Sequence, residues 1–415
     1  MPANAPVAVV VDGYYNASSL PLAFARLGMT VVHLQSTPEP IPSWTPPDPA
    51  AYAESAVHTD DETTLQWLKA LDPVCVIAGQ EPGVLLADRL SQLMGLPGNG
   101  TRLSAARRDK YAMAEALRAA GLPCVEQFKS DRAEAIVAWA VERGEFPVVV
   151  KPLSSCNTDG VVICATPEET ATAARAVLAG RDAFGRPNTE VLAQGYLDGD
   201  EYIVDTVSRD GQHFVSSSWK YEKTLVNGKN LYDKDILLAP DESPVPELVA
   251  YTRAVLDALG IRHGAAHSEV KMTCRGPVLV ETGARISGGM LPSLHDVSLG
   301  QNQAALVALA YAHPQEFLAA YAGRSYQPRQ PAMGYTVATS ADGVVRAVDA
   351  KTLAAINALP TVHQTVVNLA PGQRIRPTVD LGTCTMRIYL TGPTQEAILA
   401  DYARARDLKD LVYRL

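Results

Sequence analysis

Residues 264–290 read GAAHSEVKMTCRGPVLVETGARISGGM, and this stretch decides the fold. Two short apolar segments, one carrying Glu269 and the other Glu281, flank a turn signal at Arg275-Gly276-Pro277. That pattern predicts a β-hairpin that brings the two carboxylates together. An ionised carboxylate beside an apolar core is costly unless it is paired or bound to metal, so the converging pair points to a divalent-cation site. Four residues beyond Glu281 stands Arg285, a permanent cation suited to phosphate or carboxylate.

The rest of the chain is compatible with a large soluble enzyme. Its 415 residues, 47% hydrophobic and 20% charged, can bury an extensive core and divide into two or three domains. The first residues lack a basic region, and Asp12 directly follows the apolar run Val7 to Val11, so no signal peptide is expected. No run approaches the roughly 18–20 apolar residues a membrane span needs, and no membrane partner is expected. A net charge of -9 disfavours a nucleic-acid partner, since the densest basic spot, residues 105–110, is short. The six cysteines form no CxxC pair and read as reduced thiols of a cytoplasmic protein, with Cys156 the one of chemical interest.

Apolar segments Val7–Val11, Thr30–Gln35 and Val74–Ala78 read as parallel strands, with helices over 20–27 and 84–94 between and after them. Residues 36–48 hold five prolines and read as an irregular excursion. Ser104 is placed to cap a helix running to Ala120, with a domain boundary near 105. Between 123 and 197 the pattern becomes a compact α/β unit, with strands at 146–150, 161–164 and 191–194 and a capping box at Thr166-Pro167-Glu168-Glu169. A hairpin over 202–207 and 213–219 follows, then a helix over 248–259, the glutamate hairpin and one long helix over 297–312. From about Pro331 a smaller α+β unit takes over, with strands at 334–338, 344–348, 362–368 and 383–390 and a final helix from Pro393.

Two lysines are placed to grip a triphosphate. Lys110 opens a helix, and Lys151 ends a buried strand, where its ammonium projects from the sheet into a cleft. The loop after Lys151 carries Ser154, Ser155 and Gly160 and could fold over phosphates, although it has no GxxxxGK[ST] pattern. Extended backbone over Gln194-Gly195-Tyr196-Leu197 could pair with an adenine edge, and Glu201 could accept hydrogen bonds from ribose hydroxyls; alone, Glu201 reads as a solvated turn residue. His267 lies two residues before Glu269, on the same strand face. It could orient a carboxylate, take a proton from an incoming ammonium, or be a satisfied core histidine. The polar segment 226–235 reads as an irregular substrate loop.

This order of elements resembles the ATP-grasp carboxylate–amine ligases across roughly residues 5–320. It is most similar to the bacterial branch that joins amino acids into dipeptides, whose closing signature Glu-x-Gly-Ala-Arg-x-x-Gly-Gly stands here at 281–289. The resemblance implies an α/β ATP-grasp fold with an N-terminal Rossmann-like parallel-sheet domain over 1–105, an ATP-grasp domain over 106–320 with its lid at 123–197, and a C-terminal α+β subdomain over 321–415.

It further implies ATP and Mg2+ as cofactors, two ions with Mn2+ able to substitute, and small-molecule acid and amine substrates; a homodimer is compatible with it. Lys110, Lys151, Ser154, Ser155 and Gly160 would meet the ATP phosphates, Gln194, Tyr196 and Leu197 the adenine, and Glu201 the ribose. Lys223 would reach the phosphates in competition with Lys220; Glu269 and Glu281 would bind magnesium; Arg285, with His267 beside it, would serve catalysis. The activity implied is condensation of an amino-acid acyl phosphate with an amine. The alternatives are a carboxylating or purine-pathway ligase using bicarbonate or formate, and a non-catalytic nucleotide-binding protein. Two departures stand out: Gly283 occupies a position where many members carry Asn, and the covering loop is poor in glycine.

Overall fold

The computed structural model describes residues 5–41, 44–155, 160–226, 229–289 and 291–415. Cys156, Met290, and the 156–159 and 227–228 portions of the two polar segments lie outside the described residues. Among the described residues no helix is long and apolar enough to cross a membrane.

Near the N-terminus Val7–Val11 is flanked by Thr30–Gln35 and Pro73–Ala78, all parallel, and Glu54–Val57 extends the sheet beyond Thr30–Gln35. A parallel strand covered on both faces reads as a continuous apolar run, because both sets of alternating side chains are buried. Here Val9 and Val11 pack with Leu68 and Leu90, whereas Ala8 and Val10 join the large central core. The strand Glu54–Val57 and the helix Asp61–Leu71 were not expected from the sequence; Asp60 caps that helix by accepting from Thr63 N at 2.8 Å.

The predicted start of the next helix is corrected. Lys110–Ala119 is capped by Asp109, which accepts from Ala112 N at 2.8 Å, after a short 3-10 turn over Ala105–Arg107. Ser104 instead donates to Asp88, which also takes two hydrogen bonds from Arg107, at 3.1 and 2.9 Å. Arg107 is 1% exposed and reaches across to Leu259 O at 2.8 Å. The short basic run is therefore partly interior structure.

The next unit is a four-stranded antiparallel sheet in the order Gln127–Ser130, Val191–Gly195, Val148–Pro152, Val162–Cys164. Helices Ala133–Arg143 and Pro167–Ala179 cover it around a core of its own that includes Ile136, Val148, Val150 and Ala174. Thr166 caps the second helix as expected, accepting from Glu169 N at 3.2 Å, while Glu169 accepts from Ala165 N at 2.6 Å. A turn beyond this helix carries Phe184, whose ring meets Trp44 edge-on at 5.6 Å and lies under the guanidinium groups of Arg108 and Arg186 at 5.4 and 5.0 Å.

An eight-stranded antiparallel sheet forms the centre. Its order is Gly276–Gly283, Gly264–Thr273, Asp200–Arg209, Gln212–Val226, Lys229–Leu237, Ala332–Val337, Met386–Thr391, Val362–Val367. Two expectations change. The polar segment read as an irregular loop is largely a strand, Lys229–Leu237, paired on one side with Trp219–Val226 and on the other with Met333–Tyr335. Its charges are matched in place: Lys234 meets Glu222 at 2.7 Å, and Asp233 accepts from Tyr402 Oη at 2.7 Å. The single helix expected over 297–312 is two, Pro292–Leu299 and Gln303–Ala312, because Gly300 ends the first with φ 78° and Asn302 caps the second.

Candidate active site

The glutamate hairpin forms as the sequence suggests. Gly264–Thr273 and Gly276–Gly283 pair antiparallel, and Glu269 lies directly opposite Glu281, with a register shift immediately after Glu269. Two like charges in this position repel unless cations stand between or beside them. One cation is Lys110, whose Nζ lies 3.0 Å from Glu281 Oε2 and donates to Ser155 O at 2.8 Å. Another is Lys151, 6% exposed at the end of Val148–Pro152. Burial, with help from Lys110, lowers the Lys151 ammonium to about 8, against the pull of Glu281, Glu269 and Glu201. The two lysines and two glutamates expected together are together.

His267 is held from both sides. Its Nδ1 lies 2.7 Å from Asp205 Oδ1, and its Nε2 lies 3.5 Å from Glu269 Oε1. Asp205 in turn accepts from Ser217 Oγ at 3.0 Å. Burial opposes the imidazolium, but Asp205 and then Glu269 overcome it and raise the ring to about 9. The contacts with Asp205 and Glu269 suit the ring to orient the Glu269 carboxylate.

Among the described residues no group of three or more His, Cys, Asp or Glu side chains is gathered tightly enough to cage a metal ion. Magnesium does not need such a cage: it keeps several waters and is held by one or two carboxylates together with substrate phosphates. The opposed Glu269 and Glu281, with the Lys110 and Lys151 ammonium groups nearby, fit an ion shared with a nucleotide.

On the neighbouring strand Glu201 is buried and accepts from Lys223 Nζ at 2.9 Å and Tyr232 Oη at 2.8 Å. Lys220 instead meets Asp200 at 2.7 Å, so of the two competing lysines Lys223 is the one at this glutamate. Gln194 is buried in the Val191–Gly195 strand and donates to Gln127 Oε1 at 3.2 Å. Tyr196 and Leu197 follow the strand end, with Lys271 Nζ 5.3 Å from the Tyr196 ring centroid. Gly199 has φ 138°, and a Cβ there would strike the Met272 carbonyl, so the chain turns against the glutamate hairpin only with glycine. Of the polar loop, Ser154 is half-buried, Ser155 Oγ accepts from Ala183 N at 3.1 Å, and Gly160 has φ 65°.

Arg285 Nε stands 3.0 Å from Glu81 Oε1, and Nη1 donates to Ile286 O at 2.9 Å. Glu81 is 2% exposed and is also paired with Arg108. Burial pushes its carboxyl up, yet Arg285, Arg108 and Lys110 together hold it below the ordinary value. The departure at Gly283 now has a physical reason: a Cβ there would lie 2.5 Å from Glu81 Oε1. The space a side chain would fill holds a carboxylate from the N-terminal sheet.

Several of these residues were missed in the sequence. Asp205 lies inside the buried run Ile203-Val204-Asp205-Thr206-Val207, and Arg387, which pairs with Asp235 of the Lys229–Leu237 strand, inside Met386-Arg387-Ile388-Tyr389-Leu390. A charge in the middle of an apolar strand is the signal that could have found both. Glu81 has no such local mark.

A family model described as an ATP-grasp domain matches residues 144–293. Dapdiamide A synthase of Enterobacter agglomerans is 37% identical over 319 residues, covering 76% of this chain and 75% of that protein. An L-arginine-specific L-amino acid ligase of Bacillus subtilis is 24% identical over 264 residues, covering 60% of this chain and 63% of that protein. The crystal structure of an L-amino acid ligase from Bacillus licheniformis superposes with a TM-score of 0.75 at 21% identity, covering 99% of this chain and 98% of that one.

Proposed function

We propose, because this chain belongs to the ATP-grasp carboxylate–amine ligases, that it activates an amino-acid carboxylate as an acyl phosphate and condenses it with the amine of a second amino acid. The observation that carries this reading is the opposed pair Glu269 and Glu281, with Lys110 at 3.0 Å from Glu281 and Arg285 just beyond the same strand.

In this reading Lys110, Lys151 and Lys223 bind the ATP phosphates, Gln194 to Leu197 bind adenine, and Glu201 binds ribose. Glu269 and Glu281 would hold Mg2+, in two ions for which Mn2+ could substitute, and the bound metal would supply positive charge to the transferring phosphoryl group. A carboxylate oxygen of the acid substrate attacks the γ-phosphorus, and the bond from that phosphorus to the β-phosphate oxygen breaks, releasing ADP. The amine then attacks the acyl carbon, loses a proton, and phosphate departs. Arg285 stabilises the oxyanion that develops at the acyl carbon. His267, fixed by Asp205, orients Glu269. Acyl phosphates hydrolyse readily, so the 123–197 unit acts as a lid that excludes water.

The test is ADP release with Mg-ATP across a matrix of amino-acid pairs, with products identified by mass. A condensed product accompanied by ADP and phosphate supports the reading. AMP as product overturns the mechanism, and release that requires bicarbonate or formate but no amino acid assigns the chain to a different branch.

A further inference from the structure

A cleft opens beside the Asp200–Arg209 strand, and one wall comes from the C-terminal part of the chain. It begins at Asp205, the partner of His267, and passes Ser287 and Gly289 of the signature segment. Trp219, stacked on His295 with centroids 5.3 Å apart, and Leu294 supply an apolar side. The opposite side is a buried ion pair, Asp235 of the Lys229–Leu237 strand with Arg387 of the Met386–Thr391 strand. The sheet register continues from the nucleotide side to this pair: Glu201 lies opposite Tyr221, Tyr221 opposite Asp235, and Asp235 opposite Gly334.

The pair leaves one guanidinium donor unsatisfied. Arg387 is bound to Asp235 through Nη2, while its Nε is buried without a hydrogen-bond partner. A buried, unsatisfied donor on a cation is costly, and a ligand acceptor removes that cost. Two glycines keep the space open: a Cβ at Gly289 would lie 3.2 Å from Arg387 Nη2, and one at Gly334 would lie 3.0 Å from Asp235 Oδ2. Burial raises the Asp235 carboxyl above its usual range, and Arg387 opposes that rise. A guanidinium with free donors recognises a carboxylate through paired hydrogen bonds.

We propose that Arg387 binds the free carboxylate of the amine-supplying amino acid, the one that becomes the C-terminal carboxylate of the product. This deepens the ligase reading and rests on it. The carboxylate that is phosphorylated belongs beside Glu269, Glu281 and Arg285, so a second carboxylate held at Arg387 is that of the other substrate. Ser287 of the cleft wall follows Arg285 by two residues, and the Trp219–Leu294 side would receive that substrate's side chain. The C-terminal strand would then select the amine partner directly.

The test uses the full-length protein and the twenty common L-amino acids with their carboxamides. Once a productive pair is found, each partner is replaced in turn by its carboxamide. The wild type should use the amine substrate's carboxamide with KM raised roughly 30-fold, the size expected for a hydrogen-bonded charge pair. Arg387→Gln should raise KM for the free amino acid by a similar factor, leave KM for ATP within about 3-fold, and no longer distinguish acid from carboxamide. Arg387→Lys should fall between. The double variant Asp235→Asn/Arg387→Gln removes both charges and keeps the comparison valid if the single variant folds poorly. Equal use of acid and carboxamide by the wild type overturns the proposal, as does a KM effect confined to the activated acid. If no pair condenses, the reading that both substrates are common amino acids fails on its own. Calorimetric titration with the same amino acids and carboxamides then decides this site: carboxylate-dependent binding lost in Arg387→Gln supports it, and indifference to the substitution overturns it.

Discussion

Glu81, carried by the turn after an N-terminal parallel strand, stands 3.0 Å from the Nε of Arg285 in the signature segment. The same oxygen would lie 2.5 Å from a Cβ at Gly283, so one carboxylate both holds the arginine and forbids a side chain between them. Arg285→Ala should lower kcat by roughly 10²–10³ while the KM for ATP stays within about 3-fold, as expected for a group that acts on the developing oxyanion. Gly283→Ala should also lower kcat, and adding Glu81→Ala should relieve the steric part of that loss. Steady-state ADP release checks both. An Arg285→Ala protein of full activity would remove the role assigned to it.

His267 touches Glu269 at 3.5 Å and is itself fixed by Asp205, the arrangement of an outer partner that orients a metal-binding carboxylate. His267→Asn should raise the magnesium concentration needed for half-maximal ADP release by roughly 10–100-fold, with most activity restored at high magnesium. Glu281→Ala should lose activity that magnesium does not restore. A magnesium titration of the three proteins separates these outcomes; an unchanged midpoint in His267→Asn would show that the ring does not act through the metal site.

Three other histidines set an acid limit on stability. His33, His263 and His295 are 6%, 8% and 5% exposed, and burial lowers each to about 4. Their unfolded value is about 6.5, so between the two the unfolded chain binds protons that the folded chain refuses. Their contribution is complete above about pH 6.5 and is lost as pH falls toward 4, at up to about 3 kcal/mol each. His33→Gln should therefore flatten the fall in Tm between pH 6.5 and 4. Parallel Tm curves for wild type and variant would contradict this.

Phe184 of the 123–197 unit packs on Trp44 and under Arg108, the residue that also pairs with Glu81. Aromatic and cation–π contacts of this kind contribute about 0.5–1.5 kcal/mol. Phe184→Ala should raise the apparent KM for ATP roughly 2–10-fold and alter the fluorescence response of Trp44 to nucleotide, with kcat less affected. No change in either would separate this contact from lid closure.

What could be read from the sequence was what is local. The glutamate hairpin and the Thr166 cap depend on nearby residues, the N-terminal parallel strands are marked by unbroken apolar runs, and each formed where expected. Lys229–Leu237 escaped because its Lys and Asp residues carry no apolar alternation; it is a strand because ladders on both sides occupy its backbone and partners on other elements meet its charges. The break at Gly300 was hidden by the apolar residues on either side of it. Glu81 with Arg285, Asp205 with His267 and Asp235 with Arg387 each unite residues from separate strands or turns. Only the charge buried in an apolar run betrays one member of such a pair.

The ladder between Lys234–Ile236 and Met333–Tyr335 binds the C-terminal strands into the central sheet. Grafting this region from one relative onto another therefore cannot be treated as exchanging a tethered module. A chimera must keep that backbone register intact, and wherever it does, the residue standing at position 387 travels with the graft while Trp219 and Leu294 stay with the host.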